Sequence, residues 1–309
     1  MKVLFVCRSY NGLAKPFILE QANSLHEYFG VEIQFFFIEK GGIRGYLLAA
    51  FRLVQFLRKN TINLIHVHYG LSALPVIFTK LFFLRKEKII ITFHGSDINK
   101  LSERYFSLLA SKFSAFNILV STQMEKFFSQ RYAIIPCGID IDIVTNYREM
   151  VRMEKGWGEM DFIVLFSSSF DRKVKDPDFA LKIMKKFENI TKKNVHFFEL
   201  KGFNRAELTK LMQAADAMLM CSFREGSPQI IKESILNSLP IISNDVGEVK
   251  SICKGIDNCY VVEKRVKNYV EVLQELSNSP ARIKNRNPLL TRFSNKNIAA
   301  EIFQIYRSV

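Results

Sequence analysis

Two carboxylates with seven residues between them, Glu225 and Glu233, are the pair in this sequence best spaced to act on one small ligand. They lie in residues 223–248, FREGSPQIIKESILNSLPIISNDVGE. Ser227 is a good N-cap and Pro228 suits the first helical position, so the spacing predicts a helix from there to about Ser238, ahead of Pro240. A helix start offers free amides and partial positive charge, which suit a phosphate. Glu225 precedes that helix and Glu233 lies within it. One carboxylate can then meet sugar hydroxyls while the other accepts hydrogen bonds from a ribose. Taken singly, either could be an ordinary solvated acid beside a capped helix.

The elements that must hold this pair follow from the apolar rhythm. Short runs KVLFVC, VEIQFFFI, NLIHV, KIIITF and NILVS alternate with segments of three- and four-residue apolar spacing. That is βαβ rhythm, which implies parallel sheets covered by helices on both faces. The rhythm breaks at the polar, glycine-containing residues 146–160, then restarts with DFIVLF, NVHFFE, DAMLMC, PIIS and CYVV. The expected fold class is α/β, with two doubly wound, Rossmann-like domains: residues 1–150 and 151–294, and a last helix at 295–309. Ligands of such sheets bind beyond the carboxyl ends of the strands. The loops there include Asn11 and Gly12 after the first strand, His94 to Asp97 after the fourth, Pro136-Cys137-Gly138 after the sixth, and Arg224 to Pro228 after the strand ending near Cys221.

The segment around Glu225 and Glu233 resembles the EX7E signature of retaining glycosyltransferases of the GT-B fold, family four, and residues 239–247, LPIISNDVG, are similar to the sequel in that family. The opening strand with nearby Gly12, the HVH strand end, the HGSD turn and the PCGID turn have counterparts in the same order. The resemblance implies a central cleft, a nucleotide-sugar held mainly by the second domain, an acceptor on the first, and a C-terminal helix packing back on the first domain. It assigns Glu225 to the transferred sugar, Glu233 to the nucleotide ribose and His94 to the donor sugar from the first domain. Gly226, Ser227 and Pro228 fall at the phosphate, Phe203 near the base, and Asn11, Gly12 and Asp97 on the acceptor side. Lys175 matches a family lysine that serves the diphosphate, but the arginine expected before it is replaced by Phe170. Either Arg172 reaches the phosphate from a rearranged loop, or that contact is weakened. Cys137 and Glu248 are milder departures.

The resemblance implies no cofactor, the nucleotide-sugar being a co-substrate, and no metal is expected. Asp140 and Asp142 spell a DxD, read here as turn and linker chemistry, and His66 and His68 are read as structural because no acidic or cysteine partner is near them in sequence. Five cysteines without a CxxC pair fit neither a disulfide framework nor a zinc knuckle, which points to a reducing, cytoplasmic setting. The start MKVLFVCR reads as a buried strand rather than a leader, and no apolar stretch approaches a membrane span.

The formal charge is +14, of which residues 40–88 carry +8. Residues 44–59, RGYLLAAFRLVQFLRK, and the similar 71–88 could lie on an anionic membrane surface or simply cover the first sheet. A lipid-linked or other saccharide acceptor in surface polysaccharide or glycolipid assembly would account for that charge. A nucleic-acid partner is not expected, since no RNP-type motif or aromatic-laced basic stripe occurs. No GxGxxG follows an opening strand, which argues against a nicotinamide enzyme. A catalytically silent sugar-nucleotide-binding partner of a transferase is the competing reading.

Overall fold

The computed structural model describes residues 1–9, 12–129, 131–141 and 146–309. Asn11, expected on the acceptor side, and Asp142 of the DxD lie outside the described residues. Contacts divide the chain into two compact units, Met1–Asp140 with Phe293–Val309, and Ile141–Arg292.

Unit 1 runs β1 (Lys2–Arg8), α1 (Pro16–Phe29), β2 (Glu32–Ile38), α2 (Gly42–Lys59), β3 (Leu64–His68), α3 (Ala73–Phe82), β4 (Lys88–Phe93), α4 (Ser96–Asn99), α5 (Leu101–Ser111), β5 (Phe116–Leu119) and β6 (Tyr132–Ile134). Its strands pair in parallel in the order β2-β1-β3-β4-β5-β6. The two-residue period of β1 feeds two cores. Leu4 and Val6 join Leu53, Leu57 and Val76 on one face, while Val3, Phe5 and Cys7 join Ile18 and Leu25 of α1 on the other. Pro16 opens α1, and Gly30, in the left-handed conformation, closes it.

Unit 2 runs α6 (Arg148–Glu154), β7 (Asp161–Phe166), α7 (Pro177–Glu188), β8 (Asn194–Glu199), α8 (Arg205–Ala214), β9 (Ala217–Met220), α9 (Gln229–Leu236), β10 (Ile241–Asn244), α10 (Val249–Cys253), β11 (Cys259–Val262), α11 (Val266–Asn278) and most of α12 (Asn287–Phe293). Its parallel order is β11-β10-β9-β7-β8. The division falls ahead of residue 150 because α6 is tied to the second sheet. Arg148 and Arg152 reach Asp216 at 2.6 and 3.2 Å and also donate to carbonyls of residues 213–215.

The last helix, α13 (Asn295–Ser308), returns to unit 1. Phe303 stacks on Phe29 of α1 at 4.8 Å, and Ile298, Ile302 and Tyr306 complete the second core of that unit. Backbone bonds from Ile139 to Phe293 (2.9 Å) and from Asn295 to Ile139 (3.0 Å) fix the return. In each sheet the strand order reverses once, between β1 and β3 and between β7 and β9. Those two reversals are where a doubly wound sheet opens a crevice at its carboxyl edge.

Candidate active site

In unit 2 the loops that leave β7 and β9 meet at the reversal point. The β7 loop brings Lys175, which is 6% exposed, to Glu225 of the β9 loop, with Nζ and Oε1 2.5 Å apart. Glu225 is the ammonium's side-chain partner, so a cation otherwise costly to bury is neutralised there. Arg172 stays exposed and donates a single 3.2 Å bond to the Ser168 hydroxyl. Its guanidinium therefore has donors left for an anion.

The structure explains the displaced arginine. Phe170 turns inward, stacking on Phe166 at 5.2 Å and meeting Phe197 at 5.5 Å, so its position contributes to the core. Its amide donates to Glu199 at 2.6 Å, which pins the loop. Arg172, two places on, is the first guanidinium that this loop can present.

The start of α9 differs from the sequence expectation. The helix begins at Gln229, with Pro228 as the N-cap at ψ 115°, and Ser227 does not cap it. Pro228 is extended there, so the helix starts one residue later and the Ser227 hydroxyl loses reach to the free amides. Ser227 Oγ is buried without a hydrogen-bond partner, and no side chain caps the helix. Glu233 lies one turn inside α9. Arg205, at the start of α8, reaches it at 2.9 Å. Burial pushes the Glu233 carboxyl upward, and Arg205 and then Lys232 oppose that shift. Arg205 is a residue that sequence reasoning missed; its only signal was a basic side chain opening the helix after β8. Phe203, two residues earlier, is 43% exposed.

A second missed residue is Gly247, at φ +56° in the loop after β10. A Cβ there would sit 2.4 Å from the Gly226 carbonyl oxygen and 2.8 Å from Glu225 Cβ. The Glu248 amide bonds the same carbonyl at 2.9 Å. The β10 loop thus sets the height of the Glu225 loop, and only glycine fits. Gly247→Ala is expected to lower turnover by about a hundredfold, the order that a displacement of about 1 Å costs. The thermal midpoint should shift by only a few degrees, by about the penalty of a left-handed non-glycine residue. Unchanged kinetics in the variant would remove Gly247 from the site.

In unit 1, His94 follows β4 and stands in a chain of rings. Its Nε2 is 3.1 Å from His68 Nδ1 and its Nδ1 3.7 Å from Cys137 Sγ. Tyr69 and Phe17 flank the ring at 4.6 and 5.0 Å. Burial, with smaller help from Lys15 and His66, pushes its pKa down to about 3, so the imidazole is neutral. Asp97 is 1% exposed and turns inward, taking the amides of His94 (3.1 Å), Gly95 (3.0 Å) and Gly70 (3.0 Å). It holds the His94 loop in shape. Gly12 is exposed at φ +81° and donates its amide to Ser9 Oγ at 3.0 Å. His66 and His68 are fully buried, His66 bonding Tyr306 (2.5 Å) and Thr92 (2.7 Å). Asp140 is exposed, and among the described residues no cluster of three potential metal ligands occurs.

Residues 1–143 match the family model described as Glycosyltransferase Family 4. A curated relative, the N-acetyl-alpha-D-glucosaminyl L-malate synthase of Bacillus anthracis, is 22% identical over 250 residues, 70% of this chain. The match spans 65% of that relative's length. Among solved structures, sucrose-phosphate synthase of Thermosynechococcus elongatus superposes with a TM-score of 0.78 at 16% identity, covering 99% of this chain and 98% of that one. Anabaena HepE in complex with UDP and glucose gives 0.75 at 16% identity, covering all of both chains. At such identities the superpositions speak for the fold, and together with the family match they make this chain a protein of the GT-B fold that resembles the family-four glycosyltransferases.

Proposed function

We propose that this chain is a metal-independent glycosyltransferase that moves a sugar from a UDP- or GDP-sugar to a saccharide or lipid-linked acceptor with retention of configuration. The observation that carries the reading is the meeting of the β7 and β9 loops at the reversal of the second sheet. There an under-used arginine, a buried Lys175–Glu225 pair and an uncapped helix start converge. Charge develops on the leaving diphosphate as the glycosidic bond breaks, so fixed cations and free amides beside it are the main electrostatic need. Arg172, Lys175 and the first amides of α9, beside Gly226, Ser227 and Pro228, supply them. Glu233, held by Arg205, serves the ribose, and Phe203 stacks on the base.

Glu225 bonds hydroxyls of the transferred sugar, and the neutral His94 is assigned to that sugar as well. The acceptor oxygen attacks C1 on the face from which the nucleoside diphosphate departs. The C1–O bond to the β-phosphate breaks, and the acceptor proton passes to a departing phosphate oxygen. The setting is the cytoplasmic face of a membrane, with residues 40–88 toward anionic lipid. Among the described residues no helix is long and apolar enough to cross a membrane.

HepE has been solved with UDP-glucose, so UDP-sugars head the test panel. Wild-type protein is offered UDP-, GDP- and ADP-sugars with and without glycolipid acceptors, and product anomers are resolved by NMR. Slow hydrolysis or transfer from one donor, with its anomeric configuration kept, is expected. Binding without turnover on any acceptor would favour the silent-partner reading, and inversion would overturn the retaining step.

A further inference from the structure

Unit 1 contains an apolar groove of about 480 Å³, a volume typical of ligand sites. Ile43, Tyr46 and Leu47 of α2, Leu74 and Phe78 of α3 and Phe106 of α5 line it. The rim is unusually apolar for a surface. Ile43 is 82% exposed, and Leu47 and Phe106 are 43% and 46% exposed.

One cation lines this groove. Arg8, the last residue of β1, lies against Gly41 just before α2, where a Cβ would be 3.3 Å from its guanidinium. Arg8 is exposed, and among the described residues it makes no side-chain hydrogen bond or ion pair. Arg44 in the first turn of α2 is likewise exposed. A sugar would find few hydrogen-bonding partners along this lining, and a peptide would leave its backbone polar groups unpaired. An unbranched or isoprenoid chain that ends in one anionic group matches both the walls and the lone guanidinium.

We infer that this groove binds the hydrocarbon tail of a phosphorylated lipid, an isoprenoid or acyl phosphate, with the phosphate on Arg8. The inference rests on the lipid-linked acceptor reading above and names where such an acceptor is held. Arg44, one residue after Ile43 of the lining, adds a second exposed cation near the same end of α2.

The test is calorimetric titration of the full chain with geranylgeranyl phosphate below its micellar concentration, beside geranylgeraniol and inorganic phosphate. The ester should bind, the alcohol about tenfold more weakly, as loss of a charge-assisted bond implies, and inorganic phosphate too weakly to register. Arg8→Gln should erase the difference between ester and alcohol. Leu47→Asp, at a half-exposed position, should weaken both by more than about tenfold through charge in the apolar wall. Both variants should keep the wild-type circular dichroism spectrum and cooperative melt, which report that unit 1, where both positions lie, is folded, and wild-type nucleotide-sugar binding, which reports the same of unit 2. Equal binding of inorganic phosphate, or an unaffected Leu47→Asp variant, would overturn the groove. If the ester binds and no nucleotide-sugar does, the transferase reading falls while the groove stands; the reverse result removes the groove alone.

Discussion

Replacing Glu225 by alanine should abolish transfer and also cost unit 2 about 3 kcal/mol, because Lys175 would be left as a buried ammonium without its counter-charge. The two losses have different origins and a second substitution separates them. In Glu225→Ala with Lys175→Met, the uncompensated charge is gone, so most of the stability should return. Transfer should not, since the carboxylate proposed to meet the sugar and the cation proposed beside the diphosphate are both missing. A drop in turnover of about a thousandfold or more is the scale for removing a group that acts at the transition state. Chemical denaturation and single-turnover kinetics on the three variants (each single and the double) check this. If the double variant regained activity along with stability, the pair would be structural and Glu225 would have no part in the chemistry.

The second large effect is acid lability seated in unit 1. His66 and His68 are fully buried, and burial pushes His66 down to about 3 and His68 well below its ordinary range, with His66 and His94 adding to the latter. His94 is also pushed down to about 3. Their unfolded values lie near 6.5, so between there and about pH 3 the unfolded chain binds more protons than the folded one. Their stability contribution is complete above pH 6.5 and is lost as the pH falls. Asp97 opposes this. Burial raises it to about 6 against its amide bonds, so between its ordinary value of 3.8 and 6 the folded state holds the extra proton. Three histidines outweigh one carboxyl. Near pH 5 the cluster should take up about two protons on unfolding, a slope of several kcal/mol across the acid range. Thermal melts from pH 8 to pH 4 should show unit 1 falling steeply, and His68→Asn should reduce the uptake by about one proton. A melt independent of pH above 4 would contradict the buried, neutral assignment.

Most of the scaffold was legible in the sequence. Each of the ten apolar runs read as strands forms one, β1 to β5 and β7 to β11, because alternation and turn residues agree locally, and the last helix follows its period. The loops at the carboxyl ends were legible for the same reason. Contacts that depend on packing were not. Ser227 looked like a cap because its type is right, yet Pro228's extended backbone moved the helix start past it. The arginine question at Phe170 had no answer in one dimension. Its ring is drawn to Phe166 and Phe197 on neighbouring strands, which frees Arg172. Arg205 and Gly247 meet Glu233 and Gly226 only after two βα units have stacked. The charge concentrated in residues 40–88 also drew attention away from Arg8, the cation that lines the apolar groove.

If the loops after β7 and β9 hold the diphosphate of a nucleotide-sugar, donor binding must depend on Arg172. Calorimetric titration of the UDP-, GDP- and ADP-sugar panel into wild-type protein and Arg172→Ala tests it most directly. One-to-one binding of one donor class is expected, with a loss of about tenfold or more in the variant, on the scale of a charge-assisted contact. Failure of every donor to bind, or binding indifferent to Arg172, would contradict it.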